Sequence, residues 1–150
     1  MLKFKKSVLI KTDIVKLFEF HRDTNNLTLI SPKFVKTEID NISEIPLQKG
    51  SVISLKLKIF IFSNNWVVSI SQCNPPYLIK DLQIKGMFKF WHHSHIFGET
   101  KNGIIMTDDI EFIPPFGILG YFSSPLIYFF LYLMFTYRHK KTKQLFEKHD

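Results

Sequence analysis

An α+β domain, one antiparallel sheet with helices on one of its faces, is the fold this sequence predicts. Three observations predict it. A helical period follows the first apolar strand and stops at Ser31-Pro32. From Phe34 to Phe112 the period is two, in segments parted by tight-turn chemistry. From Leu126 onward the chain has the length and caps of a helix. With 150 residues, 45% hydrophobic and 22% charged, the chain suits one core and is too short for two. Residues 1–150 therefore read as a single domain.

Phe4 to Ile10 carries the β-branched and apolar content of a strand. Thr12 or Asp13 then offers the N-cap of a helix in which Ile14, Leu17, Phe18 and His21 recur at helical spacing, with His21-Arg22 complementing the dipole at its end. A second short helix is expected over Asp23 to Leu29. Strands are expected at Val35–Ile42, Ser51–Phe62, Asn65–Cys73, Tyr77–Ile84, Phe88–Phe97 and Ile104–Phe112. The reversals between them are expected at Gln48-Lys49-Gly50, Asn64-Asn65, Asn74-Pro75-Pro76, Lys85-Gly86 and Lys101-Asn102-Gly103. Such short connections make consecutive strands antiparallel neighbours, seven in all. After the break at Pro114-Pro115-Phe116-Gly117, Ser124-Pro125 opens a helix expected over Leu126 to Lys148. A curved sheet closing on a long helix leaves an apolar space between them, where small molecules bind.

Composition narrows the function. One cysteine, Cys73, cannot form an internal disulfide, and the N-terminus lacks a signal peptide's apolar run, so a cytoplasmic location is expected. The net charge of +7 is dispersed, as in Leu55-Lys56-Leu57-Lys58, which is a solvated strand face, so no nucleic-acid partner is expected. Gly-rich phosphate loops and CxxC pairs are absent, and no cofactor is expected.

Several stretches together carry a family likeness. They are Phe18-Glu19-Phe20-His21-Arg22-Asp23 through Leu27, Ser31-Pro32, Gly86-Met87-Phe88-Lys89-Phe90-Trp91-His92-His93-Ser94-His95-Ile96-Phe97, Met106-Thr107-Asp108 through Pro114, Phe116 to Gly120, and Phe135 to His139. In that order, over nearly the whole chain, the sequence resembles the bacterial ligand-binding SRPBCC proteins of the START and birch-pollen-allergen superfamily. The resemblance implies a helix-grip fold, a sheet of about seven strands wrapped around the C-terminal helix, with a cavity for lipids, polyketides or other apolar molecules. It does not fix the chemistry.

In the last strand, alternation puts Asp108 on the apolar face with Met106, Ile110 and Phe112. A carboxylate facing a core must find partners. Trp91, His93, His95 and Phe97 share one face of the adjacent strand and can offer them. Periodicity does not settle that face, since Phe88, Phe90 and Ile96 opposite are as apolar, and the resemblance implies that the histidine face turns inward. Periodicity leaves the inward face of the Tyr77–Ile84 strand open. Leu78, Leu82 and Ile84 are its apolar side, whereas the resemblance implies that Asp81 and Gln83 face the cavity. The candidate lining is then Leu55, Leu57 and Ile59, with Ile53, from one strand and Trp66, Val68 and Ile70 from the next. Trp91, Phe97, Met106, Ile110, Phe112, Phe130 and Met134 complete it. Asp81, Gln83, His93, His95 and Asp108 would orient a polar group within it. The expected function is binding of a hydrophobic small molecule or lipid, with a binding module favoured over an enzyme. The enzyme alternative is of polyketide-cyclase or dehydrase type, using His93 or His95 with Asp108. His93-x-His95 also resembles a cupin metal pair, but further ligands on neighbouring strands are missing, and no metal is expected.

From Ile113 to Tyr137 no residue is charged, and Arg138, Lys140, Lys141 and Lys143 follow. Apolar all round predicts burial all round. Contact with the early helices and a second copy is expected, and the alternative is docking of this helix on a membrane surface, with the basic run assisting.

Overall fold

The computed structural model describes residues 1–59 and 61–147. In chain order the elements are β1 (Leu2–Ile10), α1 (Ile14–Arg22), a 3-10 turn (Thr24–Asn26), α2 (Leu27–Ile30) and β2 (Val35–Ile42). Next come β3 (Val52–Ile59), β4 (Phe62–Asn74), β5 (Leu78–Lys85), β6 (Phe90–Thr100) and β7 (Gly103–Ile113). The chain closes with α3 (Ile118–Phe122) and α4 (Ser124–Glu147). The expected reach of the last helix to Lys148 lies outside the described residues.

The strands form one open antiparallel sheet in the order β1-β7-β6-β5-β4-β3-β2. Hairpins join every neighbour from β2 to β7, and β1 pairs with β7 so that Phe4 faces Ile110 and Val8 faces Met106. The β6–β7 turn depends on Gly103, whose φ is +133° and where a Cβ would stand 2.5 Å from the Ile10 carbonyl oxygen. Register shifts at Ile39/Asn41, Val67/Val68 and Ile70/Gln72 mark bulges, which bend the strands that carry them.

One expected turn is displaced. Asn64-Asn65 is not a reversal but lies inside β4, because Leu55 pairs with Trp66, Ile53 with Val68 and Ile59 with Phe62. Burying Leu55, Ile53, Trp66 and Val68 on one face fixes that register, and slipping it by one residue would turn them all outward. The inward face of β5 is likewise settled. Ile79 is buried, while Leu82 and Ile84 are exposed, so Asp81 points to the concave side.

The core lies between this sheet and the helices. Helix α1 places Leu17 and Phe18 against it, Phe18 meeting Phe97 edge-on at 5.5 Å. Asp13 caps the helix by accepting from the Lys16 backbone. Helix α4 packs along β1 and α2 and buries Leu131, Met134, Phe135, His139 and Thr142, one stripe at helical spacing. Its other face is not covered by the described elements of this chain. Leu126, Phe129, Tyr132, Leu133 and Tyr137 are exposed, because the sheet and α2 cover only one side of a single helix. No helix among the described residues is long and apolar enough to cross a membrane.

Candidate functional site

Between α4 and the concave face of the sheet lies a cavity of about 690 Å³, inside the usual size range of small-molecule sites. It runs along α4. Leu126, Phe129 and Phe130 line one end and Arg138, His139 and Thr142 the other. From residue 126 to residue 138 the helix rises about 18 Å. The first end is apolar, with Phe34 against Phe130 at 5.8 Å, and Leu57 and Ile59 of β3 also belong to the lining. The cavity reaches the surface here, since Leu126, Phe129 and Leu133 both line it and are exposed.

Of the residues expected in the lining, Leu55, Leu57, Ile59, Trp66, Val68 and Ile70 are there, as are Asp81, Trp91, His93, His95, Met106, Asp108, Phe130 and Met134. Four are not. Phe97 is turned toward Phe18 and His21, and Ile110 and Phe112 are fully buried in the packed layer, Phe112 against Phe88 and Tyr128. Gln83 pairs with Val68 between the two bulges of the β4–β5 pair, and its side-chain amide donates to the Phe88 carbonyl at 2.8 Å instead of reaching the cavity. Two of the four basic residues expected to assist membrane docking are engaged elsewhere. Arg138 lines the cavity, and Lys143 donates to the Leu9 carbonyl and pairs with Glu147.

Asp108 is the centre of the polar end. The antiparallel register sets His95 opposite it, and His93 lies two residues along the same face. His93 Nε2–H donates to Oδ1 at 2.8 Å, and His139 Nε2–H on α4 donates to Oδ2 at 2.5 Å. His95 Nδ1 lies 2.7 Å from Oδ1, out of line for a hydrogen bond. Across β5, Asp81 Oδ2 stands 3.4 Å from the other nitrogen of His93. His93 therefore has a carboxylate at each nitrogen, an arrangement that only an imidazolium satisfies from both sides. His139 escaped notice in the sequence because it sits inside a basic run. The signal was available, for it continues the i, i+4 stripe Leu131, Phe135, His139.

Electrostatics follow from this packing. Burial alone would lower His93, but hydrogen bonds and charge from Asp108 and Asp81 overrule it and hold the imidazole at about 9. Burial would raise Asp108, yet the charge of His95 beside it and the hydrogen bonds of His139 and His93 keep its carboxyl well below the usual range. Burial, then the charge of His93, lowers His95. His21 at the end of α1, whose Nδ1–H donates to the Leu17 carbonyl at 2.8 Å, is pushed down to about 4 by burial and then by His95. At neutral pH the cluster holds one ionised carboxylate at its centre, an imidazolium beside it and neutral imidazoles at His21 and His95.

Asp81, His93 and His95 offer ligand atoms within 4.8 Å of one another, the grouping closest to a metal site among the described residues. The nitrogens of His93 are already directed at two carboxylates. A cation there would have to displace a proton from a group that holds it up to about pH 9. The donors fit a proton better than a metal.

Solved structures share this architecture. Protein CV1439 from Chromobacterium violaceum superposes with a TM-score of 0.76 at 10% identity, over 97% of this chain and 96% of that one. This is the helix-grip fold. Ginseng major latex-like protein 151 from Panax ginseng has it too, with a TM-score of 0.69 and 13% identity over 97% of both chains. The di-domain ARO/CYC protein StfQ of the steffimycin biosynthetic pathway matches with a TM-score of 0.74 at 10% identity, over 97% of this chain and 50% of that one. At these identities the helix grip is what the chains share. No protein-family profile and no curated protein matches the sequence.

Proposed function

We propose that the protein binds an elongated hydrophobic small molecule or lipid in the cavity along α4. One observation carries this reading: a cavity of about 690 Å³ whose wall along α4 is apolar from Leu126 to Phe135 and polar at Arg138, His139 and Thr142, with Asp108 and the histidines of β6 on the sheet side and Asp23, Thr24 and Asn26 on the turn after α1. Long-chain amphiphiles have that polarity and that shape. Catalysis of the StfQ type is the less favoured alternative, because both nitrogens of His93 face carboxylates and leave it no free base. Native mass spectrometry of protein purified from its own host, followed by denaturing extraction, tests the reading. A stoichiometric apolar molecule is the expected result. A protein that arrives empty and fails to take up the neutral dye N-phenyl-1-naphthylamine would overturn it.

A second reading concerns where such a ligand is collected. Phe116, Ile118, Leu119, Phe122, Leu126 and Phe129 are each at least 60% exposed; Leu126 and Phe129 line the apolar end of the cavity, and the other four precede them directly in the chain. Ile61 and Phe62 are also exposed, and Phe62 pairs with Ile59 of the lining. Tyr132 and Tyr137 follow on the same helix, and then Lys140 and Lys141. Apolar tip, aromatic middle and basic end is the order of groups that an anionic lipid surface accepts. The mouth is therefore assigned to a membrane surface, tested by flotation with vesicles as set out in the Discussion.

A further inference from the structure

Resting on the ligand-binding reading, we infer that the bound molecule carries an anionic head, a carboxylate, held by Arg138 and Thr24 at the polar end of the cavity, with its tail running toward Leu126. The first observation is a count of unmet hydrogen-bonding groups. Among the described residues, six buried side-chain atoms have no partner, and four of them line this one cavity: Thr24 Oγ1, His95 Nδ1, Arg138 Nε and His139 Nδ1. Buried polar groups in folded proteins are nearly always satisfied, so orphans from the 3-10 turn, β6 and α4 that line one cavity mark the place of a missing partner.

The second observation says what that partner is. Arg138 is a permanent cation whose Nε is shut off from solvent, and it forms no ion pair among the described residues. Its guanidinium lies over the Phe135 ring, 5.4 Å from the centroid, which fixes the plane but supplies no acceptor. The two nearby carboxylates do not neutralise it. Asp108 is already held by His93 and His139, and Asp81 by His93. Thr24, buried on the 3-10 turn, adds a second donor. A fixed planar cation with unused donors, lining the same cavity as a buried hydroxyl donor and at the end of an apolar tunnel, matches a carboxylate, which can meet the guanidinium in bidentate fashion. A neutral hydroxyl head would leave the charge of Arg138 without a counter-ion.

The test compares hexadecanoic acid with hexadecan-1-ol, which share a tail and differ only in the head, each displacing N-phenyl-1-naphthylamine. On the native protein the acid is expected to bind at least about tenfold tighter. Arg138→Leu should abolish that preference while still binding the alcohol, Arg138→Lys should keep part of it, and Thr24→Val should reduce it. Alcohol binding in each variant reports that the cavity is intact. Equal affinity for acid and alcohol on the native protein would overturn the carboxylate assignment and leave the cavity reading standing. Binding of neither would overturn both.

Discussion

Asp108 on β7 and His139 on α4 are 31 residues apart in the chain and 2.5 Å apart in space. Their contact ties the long helix to the sheet at the polar end of the cavity, while nearer the apolar end Tyr128 donates its hydroxyl to the Lys3 carbonyl on β1. Asp108 also accepts from His93 and lies against His95. Removing the carboxylate leaves three imidazoles around an empty position, one of them protonated. Asp108→Ala is therefore expected to cost about 3–5 kcal/mol in urea unfolding, as when one member of a buried pair is deleted. Asp108→Asn, which keeps an acceptor oxygen, should cost less. A loss below about 1 kcal/mol in both would mean that water reaches the cluster.

The same cluster sets the pH dependence of stability. His93 is raised from the ordinary imidazole value of 6.5 to about 9, so the folded state binds its proton more tightly than the unfolded chain does. That contribution is complete below 6.5 and is lost as the pH rises through about 9. His21 acts on the other side. It stays neutral in the fold down to about 4, so as the pH falls from 6.5 the unfolded chain takes up a proton that the native state does not, and stability declines. Asp108, held below its usual value of 3.8, adds stability that is lost only at more acid pH. The Tm should peak near neutrality. His93→Gln should flatten the alkaline limb and His21→Gln the acid limb.

Much of this was legible in the sequence because it rests on alternation. Asp108 and Met106 face inward for the same reason that Ile110 does, a period of two against one buried face, whereas alternation alone did not fix the face of His93, since Phe88, Phe90 and Ile96 opposite are as apolar. The β3–β4 reversal was not legible, since Asn64-Asn65 has good turn chemistry and only the pairing of Leu55 with Trp66 shows that register prevails. The inward face of β5 was not fixed by periodicity either, because Leu82 and Ile84 are as apolar as the buried side. They are exposed because Asp81 is directed at His93. His139 and Arg138 were hidden in a run that reads as a solvated basic end, although their positions continue the buried stripe of α4.

Cavity wall and packed layer respond differently to added volume. Val68 lines the cavity, whereas Ile110, on the same concave face, is fully buried away from it. Val68→Phe should place its ring in the void, change stability by less than about 1 kcal/mol and abolish ligand retention. Ile110→Phe should meet filled space and cost about 1–3 kcal/mol, as overpacking does. The paired comparison, by urea unfolding and native mass spectrometry, separates the two layers. Equal costs would mean that the void does not persist in solution.

Membrane docking, if the apolar rim drives it, must depend on two separable forces. Withdrawing a Phe or Leu side chain from water contributes about 1.5–3 kcal/mol each, and this part is indifferent to lipid charge. A lysine near an anionic surface contributes about 1 kcal/mol and is screened by salt. Phe122 is 79% exposed and Leu119 is 74% exposed, so replacing both with Glu removes no packing, and the fold should keep its Tm. In flotation, the native protein is expected to rise with phosphatidylcholine vesicles containing phosphatidylglycerol. The Leu119→Glu, Phe122→Glu variant should remain at the bottom with every lipid. Lys140→Glu with Lys141→Glu should lose only the added benefit of phosphatidylglycerol, and high salt should mimic it. Were the native protein instead a dimer by analytical ultracentrifugation, made monomeric by the Glu pair, with no flotation on either lipid, the rim would belong to a second copy of the chain and the membrane assignment would fall.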